Sequence, residues 1–231
     1  MMHAMILAAG RGERLRPLTD ATPKPLLEVG GKPLIEHHLE RLAEAGVRRV
    51  VINLGWLGEQ ISASLGTGDR FGLEIHYSPE PPGALETAGG IIQALPLLGS
   101  QPFLVIAGDI LCDFRFSQLT SLANKAMAHL VMVPNPAHHP NGDFALENGW
   151  LKRTGPQRHT FSGIGLYRPA FFHHLTPGRR ALRPVFESAI DQRQITASLH
   201  PGYWSDIGTP ERLTEARRAW PAGTRTPGHD D

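Results

Sequence analysis

With one cysteine in 231 residues, Cys112, the chain cannot form an internal disulfide, which suits a reducing compartment. Neither sign of charge is in excess. Lys plus Arg number 23 against 22 Asp plus Glu, a formal charge of +1, so no global field points to nucleic acid or to a membrane surface. Any anion site must therefore be local. Long apolar runs are also missing: Met5 to Ala9 is too short for a signal-peptide core, and no stretch approaches the roughly 20 residues of a membrane span. A cytoplasmic chain acting on small molecules is expected. There is no internal repeat, no H-E-x-x-H and no Cys–His cluster. The histidine pairs His37-His38, His138-His139 and His173-His174 would diverge by about 100° on a helix, a poor arrangement for one ion. No zinc site is expected, and His138 and His139 read better as loop contacts near a ligand.

What is present is an alternation of short apolar runs with helical patterns, which argues for an α/β domain with a mostly parallel, Rossmann-like sheet flanked by helices. Candidate strands are Ala4 to Ala8, Arg49 to Asn53, Leu73 to Tyr77, Phe103 to Ala107 and Leu130 to Val133. In "PLIEHHLERLAEAG" the residues Ile35, Leu39, Leu42 and Ala43 share one face between Pro33 and Gly46, the signature of an amphipathic helix. Further helices are expected at Leu57 to Leu65, Glu86 to Leu95, Ser117 to Ala126 and Pro210 to Ala219. Asn148-Gly149 between alternating segments reads as a hairpin. Residues 143–168 are accordingly expected to form a small β-rich lobe on the substrate side, within a domain of residues 1–220. The closing "PAGTRTPGHDD", residues 221–231, has the composition of a disordered tail.

The first strand runs into "LAAGRGERLRPLTDATPKPL". A strand that ends in glycines exposes successive backbone N–H groups and lets an anion approach them closely. Arg11, Arg14, Arg16 and Lys24 outnumber Glu13 and Asp20 there, a density that suits a polyphosphate. A dinucleotide-binding dehydrogenase is disfavoured. The third glycine of G-x-G-x-x-G is missing, and the second strand ends in Asn53 where that fold places an acidic residue for ribose.

This segment resembles the signature of the sugar-1-phosphate nucleotidyltransferases, L-A-A-G-x-G-x-R-x-x-P-L-T followed by P-K-P-L. "LETAGGI" from Leu85, "AGDI" from Ala107 and "WSDIGTP" from Trp204 match in the same order, so the likeness covers almost the whole chain. Within the family the chain is most similar to the short bacterial N-acetylmuramate-1-phosphate uridylyltransferases of cell-wall recycling. "AHLVMVPNPAHHPNGDFAL" and "TFSGIGLY" carry that closer likeness. The resemblance implies a nucleotide-diphospho-sugar transferase fold and transfer of uridylyl from UTP to a sugar 1-phosphate. Mannose-1-phosphate guanylyl transfer, thymidylyl transfer, choline-phosphate cytidylyl transfer and a non-catalytic nucleotide-sugar sensor are the alternatives. A sensor should have lost Lys24 or a metal aspartate, and this chain keeps them all. The chain ends soon after "WSDIGTP", so no acyltransferase repeat domain is expected. The oligomeric state stays open, a monomer included.

By the same resemblance Arg14 and Lys24 clamp phosphate oxygens, with Lys24 nearer the sugar phosphate or α-phosphate and Arg14 nearer the leaving pyrophosphate. Asp109 and Asp206 share one Mg²⁺, replaceable by Mn²⁺. Leu7, Ala9, Gly10, Arg11, Gly12, Glu80, Glu86, Thr87, Ala88, Gly89 and Gly108 surround the nucleotide. A carboxylate at Glu80 can accept the uracil N3–H but cannot donate to O4, so a backbone N–H is expected to serve O4. Asn141, Gly142, Asp143, Ser162 and Trp204 wall the sugar. The Glu-Lys-Pro of hexose-1-phosphate relatives is replaced by "LKRTGPQRHTF". Lys152, Arg153 or a nearby histidine is the expected partner for an acidic lactyl group.

Overall fold

The computed structural model describes residues 2–81, 85–123 and 125–222. In chain order the strands and helices are β1 His3–Leu7, α1 Leu18–Ala21, β2 Glu28–Val29, β3 Lys32–Pro33, α2 Leu34–Glu44, β4 Arg49–Leu54, α3 Gly58–Leu65, β5 Glu74–Pro79 and α4 Glu86–Leu98. The second half contributes β6 Phe103–Ala107, β7 Ile110–Cys112, β8 Ala128–Val133, β9 Phe144–Glu147, β10 Trp150–Lys152, β11 Arg158–Tyr167, α5 Leu182–Asp191, β12 Ile195–Leu199, β13 Trp204–Asp206 and α6 Pro210–Ala219.

A nine-stranded sheet in the order β5-β4-β1-β6-β11-β8-β12-β10-β9 forms the frame. Its first four strands are parallel, and β11 joins β6 antiparallel. Alternation along the parallel strands sends side chains to two cores. Ala4, Ile6, Val50, Ile52, Leu104 and Ile106 pack against Ile35, Leu39 and Leu42 of α2 and Ile61 and Leu65 of α3. Met5, Val51, Phe103 and Val105 face the other way, toward Ala88, Ile91 and Ala94 of α4 and Val185, Phe186 and Ile190 of α5. Strands buried on both faces read as continuous apolar runs, which is why they are visible in the sequence. Each fully buried aliphatic or aromatic side chain contributes about 1.5–3 kcal/mol.

The chain leaves β1 for β4 and β5 on one side, then returns through α4 to β6 on the other. The strand order therefore switches between β1 and β6, and in such sheets ligands settle beyond the carboxyl ends of the strands at that switch. Leu7, Asn53 and Ala107 stand at those ends, with Glu80 immediately beyond Pro79.

Three expectations are corrected or refined. Ser117 to Ala126 is not a helix: the chain makes a short 3₁₀ turn at Phe116–Gln118 and then runs irregularly. Phe116, Leu119 and Ala126 are nevertheless buried, because tertiary packing and not a helical face covers them. The hairpin at Asn148-Gly149 is present as β9 and β10, with both turn residues at positive φ (50° and 78°). Its strands, with β11, continue the main sheet at its far edge. Helix α5 and strand β12 were not foreseen, although Val185, Phe186, Ala189 and Ile190 carry a helical spacing. Of the expected tail, residues 223–231 lie outside the described residues. No helix among the described residues is long and apolar enough to cross a membrane.

Candidate active site

The loop after β1 turns on Gly12, whose φ of 69° lies in the left-handed region. A Cβ there would stand 3.0 Å from Thr19 Cγ2 and 3.4 Å from Lys24 Cβ, so the loop is packed directly over the Lys24 stem. Thr19 Oγ1 donates to Gly12 O at 2.9 Å and closes the turn. The backbone N–H groups of Gly10, Arg11 and Gly12 have no acceptor among the described residues, and Gly10 and Gly12 line the cleft. Successive free amides of this kind form an anion cradle. Lys24, flanked by Pro23 and Pro25, is buried, and its ammonium pairs with the carboxylate of Asp109. Arg14 is exposed and has no ion-pair partner among the described residues.

Asp109 follows β6, and Asp206 arrives almost a hundred residues later on β13. β13 and β7 form an antiparallel two-stranded ribbon in which Asp206 lies opposite Ile110. Ile207 N donates to Asp109 O at 2.7 Å, which locks the two carboxylate-bearing backbones side by side. Beneath the ribbon, buried Arg41 of α2 donates to the carbonyls of Cys112 and Phe114. Its neighbour His38 is fully buried, and desolvation lowers its pKa to about 3, so the ring is neutral packing. Desolvation likewise raises the pKa of the Cys112 thiol. Asp206 is held by Arg212 of α6 through Oδ2. Arg212 Nη1 also donates to His138 Nε2 at 2.7 Å. That ring nitrogen lies 2.9 Å from Asp206 Oδ1 but out of line for a hydrogen bond, leaving buried Oδ1 without a hydrogen-bond partner.

Three cavities adjoin one another around Ala107, which lines all three. The first, about 410 Å³, is lined by Leu7, Ala9, Gly10, Gly12, Arg14, Lys24, Asn53, Glu80, Glu86, Thr87, Gly108 and Asp109. The second, about 430 Å³, shares Arg14 and Asp109 and adds His138, His139, Ser162, Trp204, Asp206 and Arg212. The third, about 470 Å³, is walled by Phe144, Phe161, Tyr167, Leu182 and Phe186, with Asp143 and Arg183 as polar members. A bulge in β11 between Phe161 and Ile164 shapes the junction. Gly163, at φ 85°, lies so close to Ala107 that a Cβ would stand 2.8 Å from the alanine methyl. Ser162 is buried, donates to Val131 O at 2.7 Å and offers its own carbonyl to Trp204 Nε1 at 2.9 Å.

Most of the residues singled out from the sequence thus meet in one branched cleft. Arg11 does not line it: its guanidinium lies over Trp56 and pairs with Glu13 at 2.8 Å. Ala88 and Gly89 are buried behind the wall, their amides engaged by Arg180 O. Asn141 and Gly142 lie outside the three cavities, in a turn fastened by Asn135 Nδ2 to Pro140 O. Asp143 is engaged by Phe161 N at 2.9 Å and by Arg183 at 3.4 Å. Glu86 starts α4 at φ 58°, an unusual conformation for a non-glycine residue, and pairs with Arg179. Lys152 and Arg153 both point elsewhere, toward Glu147 and Asp191. Arg183 lines the third cavity and Arg212, with Arg14, the second; neither Arg183 nor Arg212 was foreseen. They sit on α5 and α6, and no local pattern marks which helical arginine turns inward. Among the described residues no group of three or more His, Cys, Asp or Glu side chains could hold a metal.

Residues 3–144 match the family described as Nucleotidyl transferase. The chain is 53% identical over 224 residues to N-acetylmuramate alpha-1-phosphate uridylyltransferase of Neisseria meningitidis serogroup B, covering 94% of this chain and 97% of that one. It is 33% identical over 222 residues to the Drosophila melanogaster mannose-1-phosphate guanylyltransferase catalytic subunit beta, covering 90% of this chain but 60% of that longer protein. The crystal structure of HddC from Yersinia pseudotuberculosis superposes with a TM-score of 0.80 at 22% identity, across 95% of this chain and 100% of that one, a likeness of fold. The chain belongs to the nucleotidyl transferase family.

Proposed function

We propose that this nucleotidyltransferase transfers uridylyl from UTP to N-acetylmuramate 1-phosphate, giving the UDP-sugar and pyrophosphate. The observation that carries the reading is 53% identity, across nearly the whole of both chains, to a relative bearing that activity's name. The branched cleft supports it, since one arm combines free amides with Lys24 and Arg14 while the other two offer an aromatic wall and cations.

The chemistry requires several anionic groups to share a small volume, so repulsion is the main obstacle. A phosphate monoester with a second pKa near ~6 is already largely ionised at neutral pH, so no base is needed to activate it. Its oxygen forms a bond to the α-phosphorus while the bond from that phosphorus to the bridging oxygen of pyrophosphate breaks. Lys24 neutralises charge beside the reacting phosphorus, and Arg14, free at the cleft mouth, meets the departing pyrophosphate. Positioned charge of this kind stabilises the transition state more than the ground state.

Asp109 and Asp206 fit a hard divalent cation. Their backbones are locked together, and Asp206 Oδ1 is a buried carboxylate oxygen without a hydrogen-bond partner. Mg²⁺, or Mn²⁺ in its place, would neutralise and orient the phosphate oxygens when bound there. The third cavity suits a sugar carrying a lactyl ether: Phe144, Phe161 and Phe186 cover its apolar part, and Arg183 pairs with its carboxylate. In this reading residues 1–220 act as one domain, with the strands of 143–168 forming the sugar side. The buried, unpaired Cys112 suits a cytoplasmic location.

The test is a panel of UTP, CTP, GTP and ATP against muramate, glucosamine, glucose and mannose 1-phosphates, with the amino sugars N-acetylated, scored by pyrophosphate release. UTP with N-acetylmuramate 1-phosphate should give the highest kcat/KM. Faster turnover of mannose 1-phosphate with GTP would overturn the uridylyl assignment.

A further inference from the structure

Uracil presents an acceptor, O4, beside a donor, N3–H, and cytosine presents the reverse order at the same two positions. A pocket that accepts one and refuses the other needs a fixed donor beside a fixed acceptor. Glu80 supplies the acceptor. The donor expected from the sequence is a backbone N–H; at the start of α4 two such amides are already engaged, while those of Glu86 and Thr87 have no acceptor among the described residues. Ala88 N and Gly89 N both donate to Arg180 O, at 3.0 and 3.2 Å.

Asn53 stands beside Glu80 in the same cavity and is 4% exposed. Chemistry fixes the orientation of its amide. Ala8 N–H can only donate, so the atom facing it at 2.7 Å is Oδ1. The Glu80 carboxylate accepts, so the atom 2.6 Å from Oε1 is Nδ2. Leu85 N donates to the other carboxylate oxygen at 2.9 Å and fixes Glu80 in turn. Behind both side chains lies Gly90 of α4, where a Cβ would come within 2.5 Å of Glu80 Oε1 and 3.0 Å of Asn53 Nδ2. The pair is therefore backed by helix backbone. Nδ2 carries two hydrogens; one meets Glu80, and the second has no acceptor among the described residues.

We propose that Asn53 Nδ2 donates to O4 of the base while Glu80 accepts from N3–H, so that the Asn53–Glu80 pair sets the preference for uracil over cytosine. This rests on the uridylyl reading above. The single hydrogen bond from Ala8 thereby fixes which way the base-reading amide points, and the glycine loop and the base pocket become one rigid unit.

The experiment compares UTP with 4-thio-UTP, whose sulfur is a weak acceptor, and with 3-methyl-UTP, which lacks the N3 hydrogen. Wild type, Asn53→Ala and Asn53→Asp are assayed for kcat/KM, with melting curves to check folding. The aspartate variant keeps the acceptor for Ala8 N–H and loses the donor, but sets a second carboxylate against Glu80, so its 3-methyl-UTP penalty is read beside that of the alanine variant. Wild type should favour UTP over 4-thio-UTP about tenfold, the worth of one neutral hydrogen bond. In either variant that ratio should fall to near one, while the penalty for 3-methyl-UTP persists. An unchanged UTP to 4-thio-UTP ratio in a folded variant overturns the proposal and leaves the uridylyl reading intact. If neither variant folds, equal use of the two nucleotides by wild type overturns it and a tenfold preference supports it. Use of GTP in place of UTP would sink the reading and the inference together.

Discussion

On the proposed reading, the nucleotide side and the sugar side of the cleft are built on different plans. The nucleotide side hangs from the ends of parallel strands, with Leu7, Asn53 and Ala107 held by the ladder, Glu80 fastened just beyond it by its N–H to Leu54 O, and Gly10 and Gly12 bringing backbone to the cleft. The proposed sugar side is assembled from a bulged antiparallel strand, a hairpin edge and two helices, and side chains line it: Trp204, Phe161, Phe186, Arg183 and Arg212. Backbone amides suit a phosphate chain that every nucleotide shares. Side chains can vary with the sugar without disturbing the frame. The ribbon of β7 and β13 joins the two sides, and both candidate metal carboxylates lie at its head.

The largest effect is expected at that joint. On the proposed reading Asp109→Asn and Asp206→Asn should each lower kcat/KM by roughly 10³-fold or more, several kcal/mol of barrier. The double variant should be little worse than either single one, because both act on one ion. Mn²⁺ binding followed by electron paramagnetic resonance should be lost in each, and multiplicative losses would contradict a shared ion. A smaller effect is expected within the nucleotide side. Lys24→Met should lower kcat/KM by about 10²-fold, as when one electrostatic catalytic group is removed. Its thioether chain preserves the packing beneath Gly12, so the melting temperature should hold, and an unaltered rate would remove Lys24 from the phosphate clamp. The smallest effect belongs to the sugar side. Arg183→Ala should cut the preference for N-acetylmuramate over N-acetylglucosamine 1-phosphate by about tenfold, the worth of one charge-assisted hydrogen bond. Because its side chain is 55% exposed, the wild-type preference should itself shrink with salt. A ratio indifferent to both would place acid recognition elsewhere.

Legibility follows the same division. The strands β1, β4 and β6 were readable because strands buried on both faces are continuous apolar runs, edge strand β5 because Leu73, Ile75 and Tyr77 alternate with polar residues, and the helices α2, α3, α4 and α6 because amphipathic helices repeat every 3.6 residues. The glycine loop was readable because its whole function lies in one contiguous segment. The segment from Phe116 to Ala126 misled, since its buried residues are covered by distant elements and not by a helical face. Lys152 and Arg153 looked available by composition, yet the register of β10 turns them toward Glu147 and Asp191.

By itself, then, the sequence determined the alternating architecture, the glycine loop with its free amides and the residue types the proposed reaction calls for, because these depend on neighbours within a few positions. Only the tertiary structure decided which of them meet. Asp109 and Asp206 come together through one ribbon pairing, Asn53 and Glu80 through two adjacent strands, and Arg183 and Arg212 reach the cleft from helices whose rotation is set by packing. Such contacts arise from closing long loops, and the free energy that closes them comes from the two cores distributed across the whole sheet. No local segment carries that information, so a cation's place in the site could be read only once the core had fixed the helix that bears it.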